Sequence, residues 1–266
     1  MKQSKLITGI FIFMLLPSLC GASEKLLIKG SGTSTQVITT FFNLFSEQAN
    51  ASGYEFEVEQ VSSKHAGGIK ATNKHLFGRI GRPLNQSELA LNKKQIIIGR
   101  IPIVFVVGKE AGVRKITIGQ LTNILKGKIN NWKALGGNDH MIELVGREKT
   151  EVAFTELKKN FPFLKQIEFD KVFYRDNEVS DYIRSEKGKY SIAFGTKPNF
   201  GSEYILKVFG LSSGLNVGLV YDNTNSQHPL IEAVETYVQS KEWQNALIFR
   251  ELMPSNLPST GWSAQQ

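Results

Sequence analysis

Strand-like and helix-like patterns alternate from end to end of this 266-residue chain, and that alternation predicts an α/β fold. Two further observations bound it. No internal repeat or low-complexity tract interrupts the alternation, and no long linker marks a domain boundary. About 240 residues past the leader can bury a sizeable core as one large domain or two lobes. If there are two lobes, the chain crosses between them along strands.

The elements follow in order. Residues 26–29 read as a short strand. Residues 33–50 form a helix, with Val37, Phe41, Leu44, Phe45 and Gln48 at helical spacing. Phe56, Val58 and Gln60 alternate with Glu55, Glu57 and Glu59, so 54–61 is a strand. Gly67-Gly68 leads a short helix over 67–74. The apolar runs 96–98 and 101–107 are strands, the second long enough to be buried. Thr117-Ile118-Gly119-Gln120 is a capping box that opens a helix to Lys126, closed by Gly127. A strand at 142–145 leads to a helix capped by Thr150, with Ala153, Phe154, Leu157 and Phe161 on one face. Asp176 or Asn177 starts another helix, closed by Gly188. Strands at 190–194, 204–208 and 216–221 precede helices at 228–239 and 242–249.

The first residues are not part of this pattern. Lys2 and Lys5 precede the apolar run 6–16, Pro17 breaks it, and Cys20-Gly21-Ala22 offers a cleavage site before Ser23. Residues 1–22 therefore read as a signal peptide, which implies a periplasmic or otherwise exported protein. Leu19 is bulky for a lipid-anchor motif at Cys20. That cysteine is the chain's only one, so the exported form has no disulfide and its core must stabilise it unaided. The formal charge is +8, falling to +6 without Lys2 and Lys5, and the basic residues are scattered. No Lys/Arg block with interleaved aromatics argues for nucleic acid.

Ile28-Lys29-Gly30-Ser31-Gly32-Thr33-Ser34-Thr35 carries the clearest chemical signal. A strand ends, glycines let the backbone approach a ligand, and hydroxyls gather where a helix begins. A helix start offers unpaired N–H donors and the positive end of the macrodipole, which suits an anion. The same run also serves as a plain helix cap. Gly210-Leu211-Ser212-Ser213-Gly214 matches a hydrolase elbow, but a strand follows where the elbow needs a helix. His65, His75, His140 and His228 show no metal-ligand spacing, and no cofactor is implied. Trp132 reads as a packing residue against Leu121 and Leu125.

Several local patterns also fall in a recognisable order. Gly30-Ser31-Gly32-Thr33-Ser34-Thr35, Gly67-Gly68-Ile69-Lys70, Arg82-Pro83-Leu84, the strand 101–107, Gly146-Arg147-Glu148 and Ile192-Ala193-Phe194-Gly195 succeed one another. The run 116–137, with its Gly127-Lys128-Ile129, Asn131-Trp132 and Gly136-Gly137, is the most distinctive. Together they resemble the phosphate-type substrate-binding proteins of ABC importers, over nearly all of the mature chain. The resemblance implies a type II periplasmic-binding-protein fold: a two-lobed α/β clamp with two crossover strands, residues 23–107 plus 217–266 forming one lobe and 108–216 the other. It implies a monomeric, non-enzymatic protein that closes on a small oxyanion, phosphate first among them, and delivers it to an inner-membrane ABC permease. The implied ligand set is Ser31, Gly32, Thr33 and Ser34 on the first turn, Gly67 and Gly68 on the second, and Arg147 with Thr150. Departures from the pattern are equally specific. Leu76 stands where the family carries an Asp before Phe-Gly, about three loop residues are missing between Arg147 and Thr150, and Glu151 adds a negative charge there. These thinned loops leave open a second reading, an exported sensor or adhesion protein that has lost transport.

Overall fold

The structure, a computed structural model, describes residues 23–255. The expected signal peptide lies outside the described residues.

The elements run β1 (Glu24–Gly30), α1 (Thr35–Phe45), β2 (Tyr54–Val58), α2 (Lys64–Ala71), β3 (Gly78–Ile80), α3 (Gln86–Leu89), β4 (Lys93–Val107), β5 (Lys115–Thr117), α4 (Ile118–Leu125), β6 (Glu143–Arg147), α5 (Val152–Asn160), β7 (Lys171–Phe173), α6 (Asp176–Arg184), β8 (Ser191–Thr196), β9 (Ile205–Phe209), β10 (Gly214–Asp222), α7 (Pro229–Val238) and α8 (Lys241–Phe249). The sheet order is β2-β1-β3-β10-β4-β8-β6-β7, with β9 on β4 and β5 on β9. β1 runs parallel to β2 and β3, and β6 parallel to β7 and β8. The fold is thus the expected α/β class, in two lobes.

β4 joins them. Lys93–Pro102 pairs antiparallel with β10, whereas Ile103–Val107 pairs antiparallel with β8. The two apolar runs expected at 96–98 and 101–107 are one strand of 15 residues. The sequence break at Gly99-Arg100 does not end it, because Arg100 and Met253 exchange backbone hydrogen bonds of 2.8 and 2.9 Å across the gap. The register shifts beside Gly218, leaving Ile98 as an extra residue; its carbonyl accepts the indole N–H of Trp243 at 2.8 Å.

Each lobe has an aromatic centre. In the first, Phe41 of α1 stacks on Phe45 at 5.7 Å and meets Tyr237 of α7 and Trp243 of α8 edge-on at 5.6 and 5.0 Å. These rings cover the sheet face that Ile28, Phe77 and Val217 line. In the second, Phe154 of α5 packs on Phe194 of β8 at 5.4 Å, and Trp132 is fully buried with its N–H on the Tyr190 carbonyl at 2.7 Å. The capping box at Thr117 forms as read, with the Thr117 and Gln120 side chains each accepting the other's backbone N–H.

The helix expected over 33–50 is shorter. A 3-10 turn at Gly32–Ser34 precedes α1, and a second at Ala49–Ala51 follows it. β5, β7 and α3 escaped the sequence reading because three or four residues carry too little periodicity to register.

Candidate functional site: the cleft between the lobes

The first turn is built around close backbone approach. Gly30 sits at φ +140°, and a Cβ there would lie 2.1 Å from the Arg79 carbonyl and 2.8 Å from Gly68 Cα. Only glycine fits such a position. Ser31 N–H then donates to the Arg79 carbonyl at 3.1 Å, and the chain turns away from the sheet. Two expected ligand groups are already engaged in holding this turn. Ser34 Oγ is buried and donates to the Ser31 carbonyl at 3.0 Å; Gly32 N–H donates to Ser62 Oγ at 3.0 Å. Ser31 is buried behind them, and Thr33 is exposed at the cleft.

Beneath the turn lies Arg79 of β3, a residue the sequence reading did not single out. It is fully buried. Its Nε donates to the Ser31 carbonyl at 2.9 Å, and Nη1 to the carbonyls of Glu59 and, at 3.5 Å, Ile28. Nη2 has no partner among the described residues. Burial lowers its pKa, with the nearby Glu59 carboxylate opposing the shift. Its guanidinium therefore ties together the ends of β1 and β2 and leaves positive charge under the turn. The only sequence signal was an arginine inside the apolar run 76–80, which helical or strand patterning does not flag.

Gly67 and Gly68 lie within the body of α2. A Cβ on Gly67 would meet Ser63 Oγ at 2.5 Å, and one on Gly68 would lie 2.1 Å from the Arg79 carbonyl. Gly68 lets the helix approach β3, whereas Gly67 leaves room for Ser63 at the helix's own N-cap. Leu76 is partly buried against the main apolar cluster beside the buried Phe77. The residue of this strand and turn that faces the first turn is instead Gly81, whose Cβ would lie 2.4 Å from Ser31 Oγ. With no side chain at Gly81, this segment offers no carboxylate beside that hydroxyl. Farther along, Arg82 grips Glu88 through two 2.8 Å hydrogen bonds, and His65 Nε2 lies 3.3 Å from the same carboxylate. The Arg82 hydrogen bond is the main reason the Glu88 pKa falls to about 2. Burial, then the Arg82 charge, lower that of His65.

Across the cleft, Arg147 ends β6 and is buried. Its donors are already engaged. Nη1 pairs with Asp176, Nε with Glu148 at 3.1 Å and with the Phe173 carbonyl at 3.2 Å, and Nη2 with the Tyr174 carbonyl at 3.0 Å. Thr150 is exposed and does not cap α5. Glu151 does: its two carboxylate oxygens accept the N–H groups of Ala153 at 2.9 Å and Phe154 at 2.6 Å. Its longer side chain spans both orphan donors, which a threonine hydroxyl at the preceding position cannot. Burial raises the Glu151 pKa; the two amide bonds and the Arg147 charge pull the other way.

A cavity of about 330 Å³ lies between these halves. Gly32, Thr33 and Gln36 line it from the first lobe; Glu151, Asp176 and Asn199 line it from the second. Of the residues expected to bind ligand, Gly32 and Thr33 line this cavity. Arg147 lines a separate groove of about 600 Å³ on the second lobe, with Lys149 and Lys158. Among the described residues no cluster of His, Cys, Asp and Glu is suited to a metal, and no helix is long and apolar enough to cross a membrane.

Two α/β lobes joined through a shared strand, with a glycine turn and a helix N-terminus facing each other across a cleft, define a binding-protein clamp. Residues 21–242 match the PBP superfamily domain, and the chain belongs to that periplasmic-binding-protein superfamily. It is similar to the phosphate-binding protein PstS of Bacillus subtilis, with 27% identity over 177 residues, covering 55% of this chain and 56% of that protein. Likeness to the PstS of Borreliella burgdorferi is 27% over 161 residues, covering 56% and 55%. The matched region thus spans about half the length of these relatives. In three dimensions the chain resembles a Clostridium perfringens protein described as a phosphate ABC transporter substrate-binding protein and solved with bound phosphate. That match has a TM-score of 0.62 at 18% identity, covering 88% of this chain and 100% of the other.

Proposed function

We propose that this protein is an exported solute-binding protein that takes a small oxyanion, phosphate first among them, into the interlobe cleft for ABC import. The observation that carries the reading is the β1–α1 turn, which presents Gly32 and Thr33 to the cleft. Behind it the buried Arg79 guanidinium supplies positive charge, and the turn lies at the start of the α1 dipole. The similarity to phosphate-binding proteins supports the same ligand class. In this reading the lobes, divided as 23–107 with 217–266 and 108–216, close on the ligand, and the closed form docks on a membrane permease. Export rests on the leader at 1–22.

Titration calorimetry of the chain from Ser23 with phosphate, arsenate and sulfate tests the reading. Binding of at least one anion, weakened about tenfold or more by Thr33→Val, is expected. Heat-silent titrations with all three would overturn it. A second reading, a sensor or adhesion protein with a degenerate anion site, is favoured by one observation: Arg147 and the first amides of α5 are already engaged by carboxylates of this chain.

A further inference from the structure

We propose that a cavity between the two connections that join the lobes is a second binding site, one that takes a small molecule with an apolar body and a single carboxylate. The cavity measures about 410 Å³, within the range of small-molecule sites, and shares no lining residue with the cleft cavity. Residues 102–105 of β4 line it where that strand passes from β10 to β8. Residues 210–213 line it where the chain returns from β9 to β10. The two connections touch, the Ile103 N–H donating to the Ser213 carbonyl at 2.9 Å. β9 pairs with β4 only at Ile205 and Leu206, and from Lys207 onward it pairs with β5. The sheet therefore parts between β4 and β9, and the cavity occupies the gap.

The lining chemistry specifies the ligand. Phe105, Leu206, Val208, Leu211 and Met253 make the walls apolar. The charged residues among the lining are Lys197, Lys207 and Glu251. Lys197 and Glu251 satisfy each other at 2.8 Å. Lys207 makes no ion pair among the described residues; its Nζ lies 5.2 Å over the ring of Phe209, which is half exposed. The lining thus carries a surplus positive charge beside an accessible aromatic face. Ser212 adds a polar group of a different kind. It is buried, and its Oγ has no hydrogen-bond partner among the described residues. A buried hydroxyl left unpaired is costly, and an acceptor brought in by an occupant would relieve that cost. Apolar walls disfavour a strongly hydrated oxyanion, which would lose its water there without enough donors to replace it. A hydrocarbon or aromatic body fits the walls, and one carboxylate matches the Lys207 ammonium and the Ser212 hydroxyl. Such a molecule touches both interlobe connections at once.

Phenylpropionate and its neutral amide, phenylpropanamide, are the probes, titrated by NMR in a buffer free of phosphate and sulfate so that the outcome does not depend on the cleft reading. Saturable binding of the carboxylate with a Kd of about 1 mM or tighter is expected. It should shift the Met253 methyl resonance and the amides of Leu211 and Ser212, and the neutral amide should bind more weakly. Lys207→Gln, at an exposed position that should not disturb folding, is expected to weaken the carboxylate about threefold or more and leave the neutral amide unchanged. Ser212→Ala should weaken both probes, since each carries an acceptor. No saturable shift up to about 10 mM, far above the Kd that a ligand of this size should reach, would overturn the inference. Shifts confined to Gly32 and Thr33, or equal affinity of the wild-type protein for the two probes, would overturn it as well.

Discussion

Around Arg79, three glycines and one guanidinium hold the first turn against the sheet. A Cβ on Gly68 or Gly30 would lie 2.1 Å from the Arg79 carbonyl, and one on Gly78 would lie 1.9 Å from the Gly68 carbonyl. Backbone cannot give way as a flexible side chain can, so the close approach of α2 to β3 depends on these residues having no side chain. Gly68→Ala should therefore cost about 2–3 kcal/mol of stability or more, read by urea unfolding. A loss under 0.5 kcal/mol would mean that α2 can slide away from β3 freely. Glu88 supplies a pH signature at the same scale. Its pKa falls from an ordinary 4.5 to about 2, mainly through Arg82. The folded state then binds fewer protons than the unfolded one, so this contribution is present above pH 4.5 and lost as pH falls toward 2. Glu88→Gln should flatten the stability profile in that window. Glu151 acts with opposite sign. Its folded pKa is raised, so stability gains as pH falls from above that raised value toward 4.5, and Glu151→Gln should remove the gain.

At the scale of elements, the helices that cover the first lobe's sheet share one aromatic junction. Trp243 of α8 is fully buried, lies edge-on to Phe41 of α1, and spends its N–H on the bulged carbonyl of Ile98. Removing it opens a large cavity and strands a backbone acceptor. Trp243→Ala should cost about 3–5 kcal/mol in denaturant unfolding, and Trp243→Phe should recover part of that while leaving the acceptor unpaired. The bulge explains why β4 can serve both lobes: it offsets the β10 register near the crossing while Arg100 and Met253 keep the backbone paired. α5 illustrates a different dependence. Its apolar face was legible from Ala153, Phe154 and Leu157, all buried. Its cap was not, because Thr150 and Glu151 are both polar and only the turn closed by Glu151 N–H on the Glu148 carbonyl at 3.0 Å decides which of them reaches the amides.

At the scale of the molecule, the proposed clamp makes ligand binding and lobe closure one equilibrium. If an oxyanion binds the folded cleft alone, a hundredfold excess over Kd stabilises the protein by about 2.7 kcal/mol. Thermal unfolding with rising phosphate should track that dependence, and small-angle scattering should report a smaller radius of gyration at saturation. A melting shift without compaction would indicate binding to a clamp that is already closed. Lys197, just after β8, pairs with Glu251 of the C-terminal segment at 2.8 Å, linking the two lobes. Glu251 is largely exposed. Surface pairs of this kind contribute little, so Glu251→Gln should change stability by less than about 1 kcal/mol, measured at low salt.

The sequence by itself determined the α/β class, the succession of long elements, the capping box at Thr117 and the burial of Trp132, because each is written in local periodicity or in adjacent residues. The glycine turn after β1 was legible for the same reason: its chemistry is carried by consecutive positions. What faces what across the cleft belongs to the tertiary structure alone. Gly81, not Leu76, turns toward Ser31, since β3 covers only Gly78–Ile80 and the two positions lie beyond its opposite ends. Gly67 and Gly68 lie in the body of a helix because α2 begins three residues earlier than the glycine pair suggested. Arg79, Asp176 and Glu151 acquire their roles from partners 20 to 51 residues away or from competition between neighbouring caps. Contacts of this kind, which no window along the chain contains, decide which polar groups around the cleft are already engaged.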